Sequence, residues 1–148
     1  MDQFAATCER IAASAGKLRK VRILGEYLRT LSPEDLGRAV RFASGTPFAA
    51  SDPRRLSIGG ATLRSALLQV VDWDVETIRL CYREVGDAGE TISLLLTGIA
   101  EGEPMSLTDA ESFYLHLHAL RKTAVSIDLL AGICRRFQPL TSRYFVKV

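Results

Sequence analysis

Three places in this 148-residue chain set residues suited to holding an anion at what reads as a helix start. They are Lys17-Leu18-Arg19-Lys20, the run Ser57-Ile58-Gly59-Gly60 leading into Ala61-Thr62-Leu63-Arg64, and Lys122-Thr123. A helix start exposes unpaired backbone N–H groups and carries a partial positive charge, so it accepts phosphate oxygens. Lysine and arginine add net charge, and glycine lets a bulky sugar-phosphate chain come close. Such contacts hold a backbone without reading bases. The candidate phosphate-contacting residues are Lys17, Arg19, Lys20, Gly59, Gly60, Arg64, Lys122 and Thr123. Residue types alone leave Gly59-Gly60 open to a second reading, in which the glycines only permit tight packing. A second glycine turn, Gly86-Asp87-Ala88-Gly89-Glu90, fits a capping box better, with Asp87 as cap and Glu90 reaching back.

Bond-making chemistry has no comparable support. The chain contains no G-x-x-x-x-G-K-[ST] loop, no G-x-S-x-G elbow and no H-E-x-x-H pair. His116 and His118 are two residues apart, which puts them on different faces of a helix and argues against a shared metal. Cys8, Cys81 and Cys134 form no C-x-x-C pair and sit in apolar helical surroundings, as small hydrophobes do. No cofactor is expected in this chain.

The elements that must position these residues read as helices throughout, giving an all-α domain of about nine helices over residues 1–148. A first helix spans Asp2 to Ala13, with Phe4, Cys8, Ile11 and Ala12 on one face. A second carries Leu18, Val21, Leu24, Leu28 and Leu31 as an inward stripe. Ser32-Pro33-Glu34-Asp35 has the cap, the proline and the acids of a helix start, and the third helix should bury Leu36, Ala39, Val40 and Ala43. After the long loop Thr46 to Ser57 comes the glycine-led central helix. Asp74 then caps a helix that Gly86 ends, and Asp87 opens the next. Thr108-Asp109-Ala110-Glu111 repeats the capping pattern ahead of Phe113, Leu117 and Leu120. The last third echoes the second and third helices at an offset of 106: Val21 matches Ile127, Leu24 matches Leu130, Leu28 matches Cys134 and Pro33 matches Pro139. A shared proline is hard to obtain from periodicity alone, and the echo implies two pseudo-symmetric halves.

The net charge of +2 hides a segregation. From Asp72 to Glu111 there are ten acidic residues against two basic ones, Arg79 and Arg83; the remainder holds 17 basic and 7 acidic residues. Basic ends can form a positive face for a polyanion, or they can be solvated helix surface. No apolar run approaches the roughly 20 residues of a membrane span, and the opening residues lack a signal peptide's pattern. The expected location is cytoplasmic, nucleoid-associated in a bacterium, with no membrane partner.

The order of these motifs resembles the N-terminal DNA-binding domain of ATP-dependent DNA ligases. The similarity rests on Lys17-Leu18-Arg19-Lys20-Val21, on Ile58-Gly59-Gly60 with its Ala/Leu-rich helix, on Tyr82-x-x-x-Gly86-Asp87-x-Gly89, and on Leu130 through Ser142-Arg143-Tyr144-Phe145-Val146. It covers nearly the whole chain. The resemblance implies a domain that lies along the minor groove of duplex DNA, gripping phosphates on both sides of a nick and helping close a ring around it. Lys17 and Lys20 fall on the family's Arg-x-x-Lys pattern, and Lys122-Thr123 on its Ser-Thr-x-x-Lys region. Ser126 departs from a usual lysine, and Gly59-Gly60 is compressed relative to Gly-x-Gly. The Lys-x-Asp-Gly motif that takes AMP from ATP is missing. Adenylation and OB domains, with their ATP and Mg, are therefore expected elsewhere in the same polypeptide, as partners of this domain. The alternative expectation is a helical protein–protein scaffold that contacts its partner through the acidic middle, around Glu101 and Glu103.

Overall fold

The computed structural model describes residues 1–56, 58–120 and 122–148. Ser57, which opens the glycine-led stretch above, and Arg121 lie outside the described residues. Within them the protein is all-α, with nine helices: α1 (Asp2–Ala12), α2 (Lys17–Leu28), α3 (Pro33–Ala43), α4 (Gly60–Leu68), α5 (Val75–Val85), α6 (Ala88–Leu96), α7 (Leu107–Ala119), α8 (Thr123–Arg136) and α9 (Pro139–Lys147). The offset of 106 reappears in the structure, because α2 and α8 start at 17 and 123 while α3 and α9 start at the prolines 33 and 139. No strand forms among the described residues; there is one isolated bridge, between Glu103 and Phe137.

Aromatic rings thread the core. Phe42 of α3 meets Phe4 of α1 and Tyr114 of α7 edge-on, and Tyr114 stacks on Phe145 of α9 with ring centroids 4.4 Å apart. The buried Tyr114 hydroxyl donates to the Phe145 carbonyl at 2.8 Å, so its polar atom is satisfied. α9 packs closely on α6 and also touches α1, while α4 lies along α8 and α3 along α7. The polar face of α9 ties its neighbours together. Arg143 reaches Glu9 of α1 at 3.1 Å and Glu90 of α6 at 2.7 Å, and Lys147 reaches the Asp87 cap at 3.0 Å.

These pairs change several local expectations. Asp87 does cap α6, accepting from the Glu90 N–H at 2.7 Å. Glu90 does not reach back to complete a box; its carboxylate goes to the Arg143 guanidinium, a charge-assisted partner supplied by a distant helix. The box at α7 is made by Ser106 and Asp109 rather than by Thr108. Glu111 instead binds Arg38 and Arg41 of α3. The charge segregation is partly cancelled in three dimensions, since Asp87, Glu90, Glu103 and Glu111 are each paired with a cation from outside the acidic stretch.

Two helices are rotated from the faces their sequences suggest. On α2 the buried residues are Ile23 and Tyr27, with Tyr27 against Phe4, whereas Leu18 is 85% exposed and Val21 61%. Leu24, Leu28 and Leu31 do pack against the core, so the expected stripe holds only toward its C-terminal end. On α3 Ala39 and Phe42 are buried, while Leu36, Val40 and Ala43 face outward. A leucine-rich arc is wide enough that neighbouring helices choose which edge of it is covered. On α1 the buried residues are Phe4, Ala5 and Thr7; Cys8 and Ile11 are half-buried and Ala12 is exposed.

Candidate nucleic-acid interface

Apart from α1, which has no side-chain cap but carries Asp2 in its first turn, and α9, the helix starts fall into two chemical groups. α3, α5, α6 and α7 are each capped by a side chain, Ser32, Asp74, Asp87 or Ser106, and each carries an acid in its first turn. Capping holds the carboxylates of Asp74, Asp87 and Asp109 below their ordinary range. The Thr77 backbone N–H is the main cause at Asp74 and the Ser106 hydroxyl at Asp109. At Asp87 burial pushes upward, but the Glu90 N–H and Lys147 together outweigh it. Their N–H groups are thus in use and shielded by negative charge. By contrast α2, α4 and α8 open at Gly16, Gly59 and Lys122 with no side-chain cap and no acid in the first turn. These are the three starts that carry the candidate residues. α9 also opens without a cap, but its first turn is internal: Thr141 and Ser142 are buried and the Thr141 hydroxyl donates to Asp2.

The cations differ in whether folding gives them a partner. Lys17, Arg19, Lys20, Arg64 and Lys122 enter no ion pair among the described residues, whereas Arg38, Arg41, Arg54, Arg79, Arg136, Arg143 and Lys147 all do. Lys17, Arg19 and Lys122 are exposed, and Lys20 and Arg64 half-buried. Arg10, Arg29, Arg55, Arg83 and Arg135 are likewise outside any ion pair among the described residues, but the five at or just inside the uncapped starts add to the helix dipole there.

Gly59 and Gly60 have no internal explanation. Gly59 sits at φ −70°, a conformation open to any residue, and neither glycine has positive φ. A Cβ added at either would meet no atom within 4 Å. Tight packing against the protein is therefore not why they are glycine. Open space over an uncapped helix start is what a phosphate needs for close approach.

Geometry brings two of the three starts together. Thr62 in the first turn of α4, and Thr123 and Ser126 in that of α8, line one polar cavity of about 360 Å³ along with Arg55 and His118. The two helices run alongside each other, since Gln69 just past the far end of α4 bonds Asp128 and Arg135 of α8. Gly59, Gly60, Lys122 and Thr123 thus belong to one end of this pair. Arg64 lines a different cavity, against α5 and α6, and Gly60 lies on the wall of that cavity as well. Lys17, Arg19 and Lys20 stand apart on α2, which packs on α1; Arg19 lines a separate hollow with Arg10. Sequence reading missed Arg55, Thr62 and His118. Arg55 precedes the glycines by four residues and Thr62 follows Gly60 by two, so proximity was a usable signal for both. His118 could not be placed there from sequence: its Nδ1 contacts the Arg55 carbonyl oxygen at 3.0 Å across a separation of 63 residues, and its ring packs on Phe48.

No group of three or more metal-ligating side chains occurs among the described residues. Cys134 is buried, with its thiol pushed up to about 12 by burial, and Cys8 and Cys81 are half-buried free thiols. No helix among the described residues is long and apolar enough to cross a membrane.

The family model described as DNA ligase N terminus matches residues 1–148. A probable DNA ligase of Opitutus terrae is 26% identical over 180 aligned residues, covering 99% of this chain and 18% of the relative. A probable DNA ligase of Koribacter versatilis is 27% identical, covering 99% and 26%. A DNA ligase of Methanoculleus marisnigri is 26% identical, covering 99% and 28%. The chain spans 18–28% of the length of these three curated relatives.

Proposed function

The chain belongs to the DNA ligase N-terminus family, and from that membership we propose that it grips duplex DNA through phosphates, independently of base sequence, on behalf of a ligase. The observation that carries this reading is the coincidence of uncapped, acid-free helix starts with unpaired cations, and with two glycines that nothing in the protein requires. In this account the starts of α4 and α8 hold neighbouring phosphates with Gly59, Gly60, Lys122 and Thr123. Lys17, Arg19 and Lys20 at α2 hold a more distant segment, and Arg64 supports α4 from the flank. Backbone and phosphate contacts of this kind fix position and carry no sequence information. The minor groove of a nicked duplex is the setting the family implies. In this reading, transfer of AMP from ATP, with Mg, is the work of adenylation and OB domains that act as partners of this one.

A scaffold reading would use the acidic middle instead. Glu103, half of its proposed contact patch, is tied to Arg136 both through its side chain and through its backbone N–H. The test is a titration of the protein with labelled duplex. Lys17→Ala with Lys20→Ala should weaken binding equally on unrelated sequences, and an unchanged affinity would remove α2 from the interface.

A further inference from the structure

A cavity of about 530 Å³ lies between α4, α5 and α6 and goes beyond the DNA reading. Its size is within the range of ligand pockets. Leu63, Leu67, Ile78 and Ile92 form an aliphatic floor, and all four are buried residues that the core already fixes. The gap exists because α5 is loosely seated: Ile78 is the one buried residue of its eleven. Three arginines stand over this floor. Arg79 and Arg83 are the only basic residues between Asp72 and Glu111, and both line the cavity, joined by Arg64 from α4. Arg64 and Arg83 enter no ion pair among the described residues, and Arg79 holds only the exposed Glu76. In the most acidic part of the sequence, the available positive charge is gathered around one apolar hollow.

We propose that this cavity is a docking site for a partner-protein peptide that presents a bulky apolar side chain between carboxylates. The apolar side chain lies on the leucine and isoleucine floor, and the carboxylates take the forked donors of Arg64 and Arg83. Tyr82, half-exposed at the rim, adds a surface that is both apolar and hydrogen-bonding. A nucleic-acid strand suits the site less well. The floor is aliphatic rather than aromatic, Glu76 lies on the wall, and the adjoining start of α6 already holds the Asp87 carboxylate over its N–H groups. Isolated carboxylates tolerate those neighbours better than a run of phosphates does.

The experiment is an NMR titration of the ¹⁵N-labelled protein with the peptide acetyl-Glu-Asp-Leu-Phe-Asp-Glu-amide. Two controls replace its acidic residues by lysine, or its Leu-Phe by alanine. The expected result is shift changes confined to α4, α5 and α6 around Leu63, Ile78 and Ile92, absent with both controls. Arg83→Glu should weaken the peptide about tenfold while leaving melting temperature and duplex-DNA affinity unchanged. Lys17→Ala with Lys20→Ala should leave the peptide titration untouched, so the two readings fail separately. No shift at about 1 mM peptide, shifts elsewhere, or equal binding of the lysine control would overturn the proposal. So would a duplex that perturbs these same amides and loses affinity with Arg83→Glu, since the cavity would then be part of the nucleic-acid face.

Discussion

The Cβ that Gly89 lacks would lie 2.9 Å from the carbonyl oxygen of Arg143. The atom it would meet belongs to the backbone, so it cannot swing aside as the end of a side chain could. The missing Cβ lets α6 and α9 close tightly enough for Arg143 and Lys147 to reach Glu90 and Asp87. Gly89→Ala should therefore push the two helices apart and cost about 1–3 kcal/mol. Denaturant unfolding checks this, and a cost near zero would show that the α6–α9 seam has slack.

Gly59 and Gly60 predict the opposite pattern. Space around both is open, so Gly60→Ala in the first turn of α4 should leave stability unchanged or raise it by up to about 1 kcal/mol. DNA affinity should nonetheless fall, because the methyl group stands where the phosphate approaches. Paired melting and binding curves separate the two effects, and loss of stability without loss of affinity would refute the assignment.

Arg143 joins three helices by bridging Glu9 and Glu90 with its side chain only 17% exposed. Truncation to alanine leaves both carboxylates without that cation. The expected cost is about 1–2 kcal/mol, between the values for exposed and buried pairs. Glu9→Gln with Glu90→Gln in the same background should restore part of the loss. Urea unfolding of the three variants measures it.

Acid should loosen the α6 start. The Asp87 carboxyl titrates below its ordinary 3.8 in the folded protein, so the stability it contributes is complete above the unfolded-state value and is lost as pH falls through the folded one. Asp87→Asn can still cap, but it cannot titrate or pair with Lys147 as a charge. Its melting temperature should sit below wild type at neutral pH, and the difference should shrink below about pH 3.8. A difference that stays constant with pH would contradict the linkage.

Much of the architecture was legible because helix starts are local. Ser32-Pro33, Asp74 and Asp87 each announce a start within four residues, and all three cap as expected. The offset of 106 located α8 and α9 from α2 and α3. Faces and partners were less legible because distant residues decide them. Nothing near Leu18 or Val21 shows that the first turn of α2 has no neighbour to cover it. Glu90 looked like a box residue because Arg143, 53 positions away, does not appear in a local window. In the candidate site, the anion-seeking starts could be read as residue types. Their lack of caps, the freedom of their cations and the empty space over Gly59 and Gly60 required the fold.

The central claim is that leftover charge and open helix starts hold DNA phosphates. Its most direct test is the salt dependence of duplex binding by fluorescence anisotropy between about 50 and 200 mM salt. With Lys17, Arg19, Lys20 and Lys122 each neutralising one phosphate, log K against log salt should fall with a slope of about −3.6, the same for unrelated sequences. Lys17→Ala with Lys20→Ala should flatten that slope by about 2. No binding at the low-salt end, or a slope near zero that these substitutions leave unchanged, would contradict the account.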